Sequence, residues 1–177
     1  MSESFDSTAL FARRRPVRRK LRPWLTVAIP VAAILFQVYA PLLVELCSYL
    51  ELPLLVTIYL SMNRRSPVAG LMIGAAIGLF QDALSRWPIG ILGMVKTLAG
   101  FAASSLGLRL DTDNPVVRFG LGFVFFAGHQ ILLWALRRVL LNEPAALALG
   151  ATLAAAVVNG ALAAPLFGLL DKLRESS

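Results

Sequence analysis

The sequence predicts an all-α integral membrane protein, a bundle of six transmembrane helices, and three observations predict it. Hydrophobic residues make up 58% of the 177-residue chain, charged residues only 15%, and the mean hydropathy is +0.73. Soluble domains carry charges at roughly 25%. The charges that exist are clustered: between Trp24 and Met62 only Glu45 and Glu51 are charged, and other long windows are equally bare. Windows of about 20 apolar residues match the thickness of a bilayer core. Finally, Lys and Arg fall unevenly on the two sides of such windows, as the orientation rule for membrane proteins requires.

Cut at charges and prolines, the apolar windows cover residues 24–44, 50–63, 67–84, 89–108, 116–140 and 145–170. Residues 1–23 form a basic cytoplasmic tail and residues 171–177 a short second one. The first window comes after a basic region, as in a secretion signal. It is too long for a signal core, no A-x-A site closes it, and the arginine run lacks the flanks of a twin-arginine signal, so it reads as a retained span. The second window is short: about 14 residues rise only some 21 Å, against a bilayer core of about 30 Å. Snorkelling by Arg64 and Arg65, or tilt within the bundle, would accommodate it. Pro53, Pro67, Pro115 and Pro144 stand near proposed helix starts, where a missing N–H costs nothing. No internal repeat or low-complexity segment is visible.

Topology is set by the basic residues. With the amino terminus inside, thirteen Lys and Arg lie on cytoplasmic segments and three outside (Arg86, Arg137, Arg138), while Lys96 lies within a span. Both ends are therefore expected in the cytoplasm. The net charge is +7, and seven of the seventeen basic residues sit in one run of the tail, from Arg13 to Arg22. Next to a span such a run holds anionic headgroups, and no folded module accompanies it to bind nucleic acid. The single Cys47 excludes an internal disulfide and any multi-cysteine metal site.

Four features carry candidate chemistry. In Gly70–Gly90 (GLMIGAAIGLFQDALSRWPIG), Gly70, Gly74, Gly78 and Asp82 step by four and form one slowly winding helical stripe. Small residues at that spacing let helix backbones approach closely in lipid, so packing accounts for the glycines. Asp82 either holds the Arg86-Trp87-Pro88 turn by hydrogen bonds or pairs with Lys96 in the next helix, because a buried charge needs a partner. Lys96, Gly100 and Ser104 also step by four. Lys96 either snorkels, binds an anionic substrate, or pairs with Asp82, and we favour the pair. His129 sits midway along the fifth helix, where an interhelical hydrogen bond is the expected role. Asn159 and Gly160 sit midway along the sixth, among two stripes of small residues, and Asn159 reads as polar glue. No zinc, nucleophile-elbow or nucleotide-loop motif occurs, and no cofactor is expected.

Taken in order, these residues resemble the MreD family of bacterial rod shape-determining membrane proteins. The likeness lies in the basic tail and first span, then Leu52-Pro53-Leu54-Leu55, the stripe Gly70, Gly74, Gly78 and Asp82, and Pro88-Ile89-Gly90. It closes with Val157-Val158-Asn159-Gly160, Pro165 and Asp171-Lys172-Leu173-Arg174. Two departures stand out: the residue after the second-helix proline is Leu54, where the family often has a polar one, and the basic tail is long.

The resemblance implies a non-enzymatic component of the cell-elongation machinery in the bacterial cytoplasmic membrane. Its implied partners are an MreC-like single-span protein and, through it, the RodA glycosyltransferase, a class B penicillin-binding transpeptidase and MreB filaments. The implied fold resembles the six-helix substrate-binding component of energy-coupling-factor transporters. Helix packing and partner contact would then fall to Gly70, Gly74, Gly78, Asp82, Pro88, Gly90, Lys96, His129, Asn159 and Gly160. The alternative is a transport subunit binding a small solute near Lys96, His129 and Asn159. The few polar groups, scattered at different depths, favour the scaffold.

Overall fold

A computed structural model describes residues 21–174 apart from residues 65, 86, 87, 108, 111 and 145. The basic run before Leu21, the Arg86-Trp87 part of the predicted turn and the last three residues lie outside the described residues. Six α-helices succeed one another: α1 Pro23–Leu43, α2 Leu52–Met62, α3 Pro67–Leu84, α4 Ile91–Leu106, α5 Pro115–Leu140 and α6 Leu149–Lys172. Among the described residues there is no strand; Leu21 and Arg174 form one isolated antiparallel bridge. That bridge brings the two ends of the described chain together at one end of the bundle, called here the tail end. The turns after α1, α3 and α5 lie at the opposite, far end.

A proline stands in the first turn of α1, α2, α3 and α5. There its missing N–H forfeits no bond, and its fixed φ already suits a helix. Five segments are long and apolar enough to cross a membrane: α1, Glu45–Met62, α3, α5 and α6. With 16 residues, α4 is shorter.

The second crossing differs from the expectation. Instead of one helix over residues 50–63, a 3-10 turn at Glu45–Tyr49 leads into an α2 of 11 residues, a rise of about 16 Å. Pro53 to Met62 are all buried, because α1, α3, α4 and α6 surround α2 and stand between it and lipid. Leu54, Leu55 and Ile58 are completely buried, and a helix so enclosed need not match the bilayer with its own length. The remaining helices form two hairpins, α3 with α4 and α5 with α6, on either side of α2, while α1 covers α2 and part of α3. The core includes Ile34, Ile77, Val95, Ala103, Phe126, Ala156 and Phe167.

Candidate functional site

The glycine stripe is the seam between α3 and α4. A methyl group at Gly70 would overlap the Gly100 carbonyl, one at Gly74 the Lys96 carbonyl, and one at Gly78 the Leu92 carbonyl. Gly100 returns the contact against Gly70. Backbone therefore touches backbone along the seam, which in lipid replaces the missing hydrophobic force with close packing.

At the far end of the seam Asp82, 1% exposed, closes the turn into α4. Its Oδ2 accepts the N–H groups of Gly90 (2.8 Å) and Gly93 (2.9 Å), and its Oδ1 accepts that of Leu92 (3.1 Å). These belong to the orphan donors at the start of α4, which in a water-poor site must find an acceptor. Gly90, the residue ahead of α4, supplies no capping side chain and takes a φ of 104°, a left-handed conformation that favours glycine. The cap comes from α3 instead, and a carboxylate there also meets the positive end of the α4 dipole. Pro88, ahead of Gly90, is exposed on that turn.

Asp82 does not pair with Lys96. That expectation is corrected by Glu51, to which the sequence assigns no role: Lys96 Nζ donates to Glu51 Oε1 at 2.7 Å, with the Lys96 side chain fully buried. The physical reason is that Asp82 is already committed to three N–H groups, whereas Glu51 at the start of the enclosed α2 faces α4. The spacing from Gly78 to Asp82 points to the wrong carboxylate. The signal for Glu51 lies in its being one of only two charges between Trp24 and Met62, immediately before Leu52-Pro53.

Around Glu51 gather side chains from three further helices. Gln81 of α3 donates to Oε1 at 3.3 Å. Asn159 of α6 accepts the Glu51 N–H at 2.9 Å, while its own Nδ2 donates to the carbonyls of Tyr49 (2.7 Å) and Ala155 (2.9 Å). Gln37 of α1 accepts the Leu52 N–H at 3.3 Å. Like α4, α2 thus begins without a capping side chain of its own and has its first donors satisfied by neighbours. Asn159 fixes the 3-10 turn and the entry of α2 to α6. Next to it Gly160 meets the Phe119 carbonyl of α5, and Gly122 of α5 meets the Asn159 carbonyl in return.

His129 of α5 is 3% exposed and interacts electrostatically with Lys96 and Glu51. The expected interhelical hydrogen bond is absent: neither ring nitrogen meets a protein partner among the described residues, and Gln81 Oε1 is in the same position.

A second cluster joins the tail end. Tyr59 of α2 donates to Asp171 Oδ1 at 2.9 Å and accepts from Arg174 Nε at 2.8 Å. Arg118 of α5 pairs with Asp171 Oδ2 at 2.5 Å and donates to the Thr112 carbonyl at 2.7 Å. Arg174 also donates to Asn63 and lies over the Tyr59 ring, 5.0 Å from its centroid. Of these residues the sequence singles out only Asp171 and Arg174, in its closing run. A small crevice opens here, lined by Tyr59, Asn63, Arg118 and Asp171 among others. Among the described residues no group of three His, Cys, Asp or Glu side chains could hold a metal ion.

Comparison with known proteins adds one finding. The family model for the rod shape-determining protein MreD matches residues 18–173 of the 177, from the end of the basic run through the last helix. No curated protein and no solved structure matches, so the likeness to the energy-coupling-factor component rests on the family resemblance alone. The matched region contains the glycine seam, the Glu51 cluster, the tail-end cluster except Arg174, and all six helices, and the chain belongs to the MreD family of rod shape-determining membrane proteins.

Proposed function

We propose that this shape-determining membrane protein acts as a non-enzymatic scaffold in the bacterial cytoplasmic membrane. It holds an MreC-like single-span partner and, through that partner, a RodA-like glycosyltransferase, a class B transpeptidase and MreB filaments, in support of sidewall peptidoglycan synthesis. In this reading the tail end, where the two ends of the described residues meet, faces the cytoplasm, in keeping with the distribution of Lys and Arg, and the basic tail binds anionic lipid.

The observation that carries this reading is the Asp82 cap. Three N–H bonds to one buried carboxylate and a backbone-tight seam below it give the far end of α3 and α4 a fixed shape. Fixed shape is what a docking platform needs, since a loop that must be ordered on binding costs affinity. The polar side chains of the bundle are spent largely on each other and on helix starts, which supports a positioning role over a chemical one. A solute-binding transport subunit is the weaker reading. Lys96, His129 and Asn159 do gather near Glu51, but each is at least 97% buried and they leave the crevice to the opposite end of α2.

The test is a mild-detergent pull-down of the tagged full-length protein from its native membrane, with the co-purifying proteins identified by mass spectrometry. Recovery of a single-span MreC-like protein with a synthase is expected; recovery of paired ATPases with a coupling subunit would replace the scaffold with a transporter. Asp82→Asn, which keeps the shape but loses acceptor strength, should lower partner recovery and round the cells while the protein still reaches the membrane. Unchanged recovery and unchanged rods would remove Asp82 from the docking platform.

A further inference from the structure

The cluster around Glu51 has hydrogen-bonding capacity that the protein does not use. Lys96 carries three N–H donors and commits one to Glu51. Glu51 receives both Lys96 and Gln81 on the same oxygen, Oε1. Gln81 Oε1 and both nitrogens of His129 have no protein partner, although these residues are 4% and 3% exposed. Spare donors (Lys96, one imidazole nitrogen) and spare acceptors (Gln81 Oε1, the other imidazole nitrogen, Glu51 Oε2) thus occur together in one electrostatically coupled group. Asp82 and Asn159, the polar groups next along α3 and facing from α6, are committed to backbone N–H and carbonyl groups and take no part.

Buried polar groups in this number are rarely left bare, because each one forfeits its solvation on burial. The molecule that satisfies mixed donors and acceptors in a confined space is water, which needs two to four polar partners. There is also a way in. The Glu51 side chain keeps 14% exposure while its partner Lys96 keeps none, so Glu51 is the member of the pair that reaches the surface.

We infer that Glu51, Gln81, Lys96 and His129 form an internal hydration site that binds water, filled past Glu51, and that water rather than a protein group completes the bonding of His129. The site joins α5 to the Glu51–Lys96 pair of α2 and α4 through water, whereas α6 is joined to the same region by the direct bonds of Asn159. This inference goes beyond the scaffold reading and does not depend on it.

His129 is the chain's single histidine, which makes the test direct. Full-length protein labelled with 13C,15N-histidine in lipid bilayers would be studied by water-edited solid-state NMR, with D2O exchange of the ring N–H as a second readout. The expected result is transfer of magnetisation from water to the His129 ring, with its acceptor nitrogen shifted as in a hydrogen-bonded imidazole. The double variant Glu51→Leu with Lys96→Met removes the entry and the charges together, and transfer should then be lost. A wild-type ring that receives no water magnetisation and shows a free acceptor nitrogen would overturn the inference. So would a ring bonded to a protein group. The wild-type measurement decides by itself if the double variant does not fold.

Discussion

The two ends of α2 are both held by polar clusters, and the clusters are built differently. At the far end Lys96 and Asn159 are completely buried and Gln81 is 4% exposed, and only Glu51, with 14% of its side chain exposed, reaches the surface. At the tail end Tyr59 is buried, but its partners Asp171 and Arg174 keep side-chain exposures of 28% and 15%, and Arg118, which pairs with Asp171, keeps 11%. The same kinds of bond therefore stand in different media. Breaking a buried ion pair leaves an uncompensated charge where nothing solvates it. Breaking a partly exposed one leaves a charge that water accepts. The far cluster fixes one arrangement of the bundle at high stakes, and the tail cluster latches α2, α5 and α6 with little to lose.

The largest effect should come from splitting the far pair. Glu51→Leu leaves Lys96 alone in the bundle and should cost about 3–5 kcal/mol, the range for removing one partner of a buried pair. Lys96→Met should cost a similar amount. The double variant replaces the pair with apolar groups and should recover most of the loss, as read by unfolding of the protein in detergent or lipid nanodiscs. If the two single losses simply add, Lys96 and Glu51 do not act as a pair. Asp171→Asn, the matching change at the tail end, should cost only about 1 kcal/mol. Equal losses at the two ends would abolish the distinction between them.

The next effect breaks the far cluster without touching its side chains. Gly74 lies against the Lys96 carbonyl, so Gly74→Val must push α3 away from α4 and carry Lys96 from Glu51. Overpacking of this kind costs about 1–3 kcal/mol. Gly120→Val in α5 is the control, since nothing lies within 4 Å of a methyl group placed there. That change should stay within about 0.5 kcal/mol in the same unfolding measurement. A Gly120 variant as damaging as the Gly74 variant would mean that the glycines act through helix propensity, not through the seam.

How much of this is legible in the sequence differs between the two clusters for a physical reason. The apolar windows and the prolines at helix starts reflect local rules, and they locate most of the helices to within a few residues. The glycine stripe obeys the helical period and is equally legible. The partner of Lys96 is not, because pairing depends on how α2 sits between the hairpins, and no local pattern reports that. Asp82 and Lys96 are neighbours in sequence and Glu51 is remote, so sequence alone favours the near carboxylate. The tail cluster is hidden for a similar reason. Tyr59, Arg118 and Asp171 are more than fifty residues apart in the chain and meet only because α2, α5 and α6 bring them to the same level. In the sequence Arg118 counts for its charge alone.

The smallest effect is the most informative about the medium of the tail cluster. Tyr59→Phe removes one hydroxyl that both donates to Asp171 and accepts from Arg174, while leaving the ring beside Phe167 at 5.5 Å. The expected loss is about 0.5–1.5 kcal/mol, the net worth of an ordinary hydrogen bond. What separates the two ends is ionic strength. Salt at 1 M shortens the screening length to about 3 Å from about 10 Å at 0.1 M, and screening acts on charges that water reaches. High salt should therefore shrink the penalty of Asp171→Asn, because the parent loses its Arg118 and Arg174 attractions too. The penalty of Lys96→Met should change less, since Lys96 itself is fully buried and only Glu51 of the pair reaches the surface. Both penalties falling equally with salt would place Lys96 as well as Glu51 within reach of bulk water and its ions. The far end would then be as open as the tail end.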